Sequence, residues 1–355
     1  MVIGVWDLVA GSWRDGFGRV LRAPAVLAGV FVVTLAAALP LAVTLRGAIE
    51  AHLGRSLVAD AAADGVNYDW WQEFSSQAAG QGNTALGATA LGTTGLGSTF
   101  SPSIIGFAAT LDNISSVLDA QREASPVAAA LAAYLLVWTF LSGGILDRYA
   151  RQRPTRAHGF FAASGVFFWR FLRLALVAGT AYWFLFAYVH VWLFDDLYDW
   201  LTRDLAVERV AFVWRVALHA VFGSALVAVN IAVDYARIRL VVEDRRSAIG
   251  ALSAALGFLG RHPGRALGLY ALNGLVFVLL LAAWAFAAPG AGGAGLSMWL
   301  GVAATQLYLL ARLLLKLQFM ASQTALFQRS LAHAAYTAAP APVWPESPAA
   351  ETIAG

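Results

Sequence analysis

Apolar residues in this chain gather into six blocks, at 24–45, 126–146, 172–194, 211–233, 267–288 and 297–317. Each holds roughly 20–23 residues, and a helix rising about 1.5 Å per residue over that length matches the ~30 Å hydrocarbon core of a bilayer. The pattern predicts an all-α, polytopic transmembrane bundle of six spanning helices. Pro289-Gly290-Ala291-Gly292-Gly293-Ala294-Gly295 joins the last two blocks. It reads as a tight uncharged turn, so those two blocks form a hairpin.

A shorter pattern stands before three of the blocks: an amphipathic stretch, two arginines, then a span. In 5–22 the apolar face is Trp6, Val9, Trp13, Phe17 and Val20, closing on Arg19 and Arg22. In 158–173 it is Phe160, Ser164, Phe167 and Phe171, closing on Arg170 and Arg173. In 246–265 it is Ile249, Leu252, Leu256 and Leu259, closing on Arg261 and Arg265. Such helices are expected to lie in the plane of the membrane, apolar side in the acyl boundary and arginines on anionic headgroups.

Two returning spans also end alike, in Asp147-Arg148-Tyr149-Ala150-Arg151 and Asp234-Tyr235-Ala236-Arg237. Their acids and arginines are spaced to pair along a helix. The sixth block lacks this ending and offers Arg312 and Lys316. The chain thus reads as a three-fold repeat of interfacial helix, span out and span back. This layout, with the stretch Val242-Glu243-Asp244-Arg245-Arg246-Ser247-Ala248-Ile249-Gly250-Ala251-Leu252, resembles a broad group of uncharacterised bacterial six-helix membrane proteins. The group includes the membrane domain fused to some glycerophosphodiester phosphodiesterases. The resemblance implies the six-helix fold and no particular active site. The long segment 46–125 departs from it, and no phosphodiesterase domain is present.

Composition agrees with a membrane protein: 59% of residues are hydrophobic, only 13% are charged, and the mean hydropathy is +0.66. A soluble domain carries about a quarter charged residues. The absence of cysteine excludes disulfides, thiolate metal sites and a cysteine nucleophile. Charge sets the expected orientation. Segments 1–22, 147–173, 234–265 and 312–355 hold 18 of the 24 basic residues but 8 of the 21 acidic ones. By the positive-inside rule they face the cytoplasm, which places both termini there in a bacterial inner membrane. Residues 1–22 lack the apolar stretch of a signal peptide.

The expected organisation is a cytoplasmic amphipathic helix (1–22), a six-helix transmembrane domain (23–337) with an external insertion (46–125), and a disordered cytoplasmic tail (338–355). Within the insertion, Ile49, Leu53 and Leu57, then Ile104, Phe107, Leu111, Ile114 and Leu118, have helical spacing. Residues 79–98 between them read as a glycine-rich flexible loop, and Asn67–Trp71 suits an aromatic belt.

Candidate chemistry is sparse. His219 is the deepest ionisable side chain in a span, and its ordinary reading is a histidine bonded within the bundle. Asn230, Asn273 and Gln306 read as intramembrane packing groups, and Asn230 and Asn273 sit at levels where they can meet. His190, Asp195, Asp196 and Asp199 form a solvated acidic cluster without metal-ligand spacing. Phosphate-loop, dinucleotide, metalloprotease and nucleophile-elbow motifs are absent. The arginine runs have no nucleic-acid-binding fold around them. These features point to a non-catalytic membrane protein, a scaffold or accessory subunit without cofactor or metal. Its expected partners are membrane lipids, other membrane subunits or a second copy of itself. A transporter or channel, and a membrane-embedded lipid-processing enzyme, are the alternatives.

Overall fold

The computed structural model describes residues 4–54, 59, 125–205, 207–287 and 295–332. The predictions for 67–71, 79–98, 104–118, the turn 289–294 and the tail 338–355 lie outside those residues.

Among the described residues, eight long helices follow in order: α1 (Val5–Leu21), α2 (Pro24–Leu53), α3 (Ser125–Arg151), α4 (Ala157–Thr202), α5 (Glu208–Val242), α6 (Ala248–Arg261), α7 (Pro263–Ala287) and α8 (Leu296–Ala332). No strand occurs among the described residues. Among the described residues, helices α4, α5, α7 and α8 are long and apolar enough to cross a membrane, and there are five such segments if the bent pair of α1 with Pro24–Pro40 is counted as one span. These helices mark a membrane-embedded protein. The predicted second span, 126–146, falls inside α3, which is helical but outside that set.

Proline decides where the amphipathic stretches separate from the spans. Ala23 precedes Pro24 and has φ −134° and ψ 54°; His262 precedes Pro263 and has φ −132° and ψ 49°. A residue before proline is pushed out of the helical region, while proline itself suits the first helical turn. Each junction therefore ends one helix and starts the next, and α1 meets the first part of α2 at 73°. No proline lies between Ala157 and Thr202. The expected interfacial helix 158–173 is accordingly not a separate element. It is the first part of α4, whose 46 residues run without a break. Two π-helical segments, Leu185–His190 and Trp192–Leu197, loosen that helix near its far end.

Burial concentrates at the arginine-rich end of the bundle. There α8 is the hub: Leu317, Ala321, Ala325, Leu326 and Phe327 are fully buried, as are Gln318, Ser322 and Thr324. The hydropathy block ends at residue 317, yet the helix continues to Ala332 and its continuation is the most enclosed part of the fold. At the opposite end the helices expose large apolar side chains, including Trp183, Phe212, Leu279, Phe286 and Trp299. Contacts there join sequential helices, as in the stacked rings of Trp284 and Tyr308, 4.3 Å apart.

Candidate functional site

Helix α1 divides the apolar face read from its sequence between the protein interior and the outer surface. Trp6 is 71% exposed and Phe17 is also exposed, whereas Val9, Ser12, Gly16, Arg19 and Val20 are buried. The reason is close approach. A Cβ on Gly16 would lie 2.6 Å from the backbone N and Cα of Ser322, so only glycine admits α8 at that distance. Helices α3 and α4 meet in the same way. A Cβ on Gly144 would stand 2.5 Å from Ser164 Oγ, and the Gly144 N–H donates to that oxygen at 3.2 Å.

This rotation turns Arg19 inward, where it is 6% exposed. Its guanidinium donates to the Tyr149 carbonyl (2.9 Å), to Gln328 Oε1 (2.8 Å) and to Asp15 Oδ2 (3.0 Å). Gln328 Nε2 in turn donates to the Ala150 carbonyl at 2.9 Å. Tyr149 and Ala150 belong to the last turn of α3, whose carbonyls have no partner within their own helix. Arg19 and Gln328 therefore cap α3 from two other helices, and a cation suits that end of the helix dipole. Gln318 extends the seam by donating to the Trp13 carbonyl at 2.8 Å.

The expected headgroup ligands divide accordingly. Arg19 is committed inside the protein, which corrects its assignment to lipid. Arg170 is largely enclosed too; it pairs with Asp244, donates to the Arg245 carbonyl at 3.2 Å and lies 5.3 Å from the centre of the Phe167 ring. Arg22, Arg173 and Arg261 are exposed, and Arg265 is half-buried. Burial, then the charges of Arg265 and Arg261, hold the His262 imidazole below its ordinary pKa.

A second polar group crosses the bundle between α4, α5, α7 and α8. Asn230 Nδ2 donates to the Tyr270 hydroxyl at 2.7 Å, and the Tyr182 hydroxyl donates to Asn230 Oδ1 at 3.5 Å. Four residues on, Asp234 pairs with Arg237 at 3.5 Å and accepts from Gln323 Nε2 at 3.3 Å. Asn273 bonds instead to Ser322 Oγ at 3.0 Å. The expected meeting of Asn230 with Asn273 is thus replaced by separate partners on α4, α7 and α8. Gln306 is half-buried on α8. His219 bonds through Nδ1 to the Arg215 carbonyl at 2.8 Å. The Phe194 ring lies 4.6 Å from the imidazole of His190 and 4.3 Å from that of His219, which links two residues the sequence treats apart. Asp195, Asp196 and Asp199 are exposed.

The buried part of α8 is the element that sequence reasoning missed. Gln318, Ser322, Gln323 and Gln328 lie beyond the last apolar block, and their spacing alone does not show that each finds a partner on another helix. In comparisons with known proteins, the chain matches no family model, no curated protein and no solved structure.

Proposed function

We propose that the chain is a non-catalytic integral membrane protein of a bacterial inner membrane, a scaffold or accessory subunit in membrane or envelope organisation. In this reading it crosses the membrane six times with both termini in the cytoplasm. The observation that carries it is the use made of the enclosed polar groups: buried Arg19, Gln318, Gln323 and Asn273 and half-buried Gln328 join helices to one another. Groups held in this way are pinned by their partners, and carboxamides do not exchange protons as acid–base catalysis requires.

The three-fold repeat belongs to the same proposal. It draws support from three triplets in the C-terminal parts of their helices, Tyr149-Ala150-Arg151, Tyr235-Ala236-Arg237 and Phe327-Gln328-Arg329, each with its aromatic ring almost fully buried. It also draws support from Arg19, which reaches from an amphipathic stretch to the last turn of α3, and from Arg170, which reaches to the residues just after α5.

A permease-like role is the second reading. It is favoured by the polar group of Tyr182, Asn230, Asp234 and Tyr270, because ionisable residues within spanning helices commonly mark a transport path. One complementation series separates the readings. Replacing His190, His219 and Asp196 together by Ala leaves the cellular role intact if the protein is a scaffold. Asp234→Asn then reduces the role only as far as it reduces protein level. Complete loss of the role in either variant at normal protein level would overturn the scaffold reading, and loss in Asp234→Asn alone would favour the permease.

A further inference from the structure

Arg312 and Lys316 lie one turn apart on α8, inside or at the edge of its apolar segment, and both are exposed. Their neighbours are aromatic. Lys316 Nζ sits 3.5 Å from the centre of the Trp138 ring and 5.1 Å from that of Tyr134, and it donates to the Tyr134 hydroxyl at 3.3 Å. The Arg312 guanidinium lies 5.7 Å from the centre of the Tyr308 ring, which is itself stacked on Trp284. Among the described residues no carboxylate stands within ion-pair distance of either cation; Asp234, whose charge acts on Lys316 from further off, is itself paired with Arg237. This sets the pair apart from Arg19, Arg151, Arg170, Arg237 and Arg239, each of which has an acidic partner. A π face attracts a cation without neutralising it. Two cations beside apolar helix surface are costly unless a negative charge meets them.

We propose that Arg312 and Lys316 form a binding site for the phosphate of an anionic phospholipid. The phosphate bridges the two cations at the level of Trp138 and Tyr308. The acyl chains run along the exposed apolar surface of α8 towards its start, where Leu296, Trp299, Leu300 and Leu307 face outward. That adjoining apolar surface selects a lipid over a free anion, because it offers the chains a place that inorganic phosphate does not use. Aromatic rings beside the cations suit the boundary between headgroups and chains.

The site is independent of the scaffold reading, since a scaffold and a permease can both hold such a lipid. The test is native mass spectrometry of the detergent-solubilised full chain, titrated separately with phosphatidylglycerol, phosphatidylcholine and inorganic phosphate. Wild type should bind phosphatidylglycerol in preference to phosphatidylcholine. The Arg312→Gln/Lys316→Gln variant should bind it roughly thirtyfold more weakly, the loss expected for two headgroup contacts. Arg312→Lys/Lys316→Arg, which keeps both charges, should bind like wild type and guards against a folding defect. Arg203→Gln/Arg209→Gln, which removes two exposed arginines at the α4–α5 connection, should also leave the affinity unchanged. Equal binding by wild type and the Gln variant would overturn the proposal. So would inorganic phosphate displacing the lipid at equal concentration, because the site would then be one for a free anion.

Discussion

Arg19→Met is expected to lower the stability of the protein by about 2–4 kcal/mol, the range for removing one partner of an enclosed hydrogen-bonded charge. Methionine keeps much of the stem but leaves the Tyr149 carbonyl, Gln328 Oε1 and the Asp15 carboxylate without their donor. Arg329, 3.7 Å from the same carboxylate, retains a share of that charge, so the loss sits below the upper end for a fully isolated ion. Arg22→Met, three residues on, removes an exposed guanidinium and should change stability by under about 0.5 kcal/mol. Thermal unfolding of both variants in one detergent compares them directly. A loss at Arg19 no larger than that at Arg22 would mean that the cap on α3 contributes nothing.

The second large effect is steric and has its control two residues away. Gly16→Ala introduces a Cβ 2.6 Å from the backbone of Ser322, so α1 and α8 must separate along their whole seam. Overpacking of this kind costs about 1–3 kcal/mol. A Cβ at Gly18 meets nothing within 4 Å, so Gly18→Ala should be neutral or gain up to about 1 kcal/mol from reduced backbone freedom. A loss at Gly16 with no loss at Gly18 is the expected outcome of a thermal-shift comparison. Equal behaviour would mean that α1 does not rest on α8 through this face.

These two positions show what hydropathy can and cannot convey. The apolar blocks locate the long helices because burial in a bilayer depends on composition over about 20 residues. They do not orient α1, since Ser12 and Gly16 count as neutral on any hydropathy scale while their small size decides which face meets α8. The arginine pairs make three stretches look equivalent, yet Pro24 and Pro263 break two of them and the proline-free 158–173 continues into its span. The last hidden element is the buried half of α8. Gln318, Ser322 and Gln323 lower its hydropathy, and each is enclosed with a hydrogen bond to a group on α1, α7 or α5. The site residues follow the same rule: Asn230 and Asn273 were legible as packing groups, but their partners depend on how the helices rotate.

The most direct test of the proposed membrane arrangement uses the absence of native cysteine. Single cysteines at Asp204, in the α4–α5 connection, and at Arg153, between α3 and α4, are both placed at exposed positions. Intact cells are treated with a membrane-impermeant maleimide, and lysed cells with the same reagent serve as the reference. With the arginine-rich end in the cytoplasm, Asp204→Cys is labelled on intact cells, whereas Arg153→Cys is labelled only after lysis. Labelling of Arg153→Cys on intact cells, with Asp204→Cys protected, would contradict the arrangement.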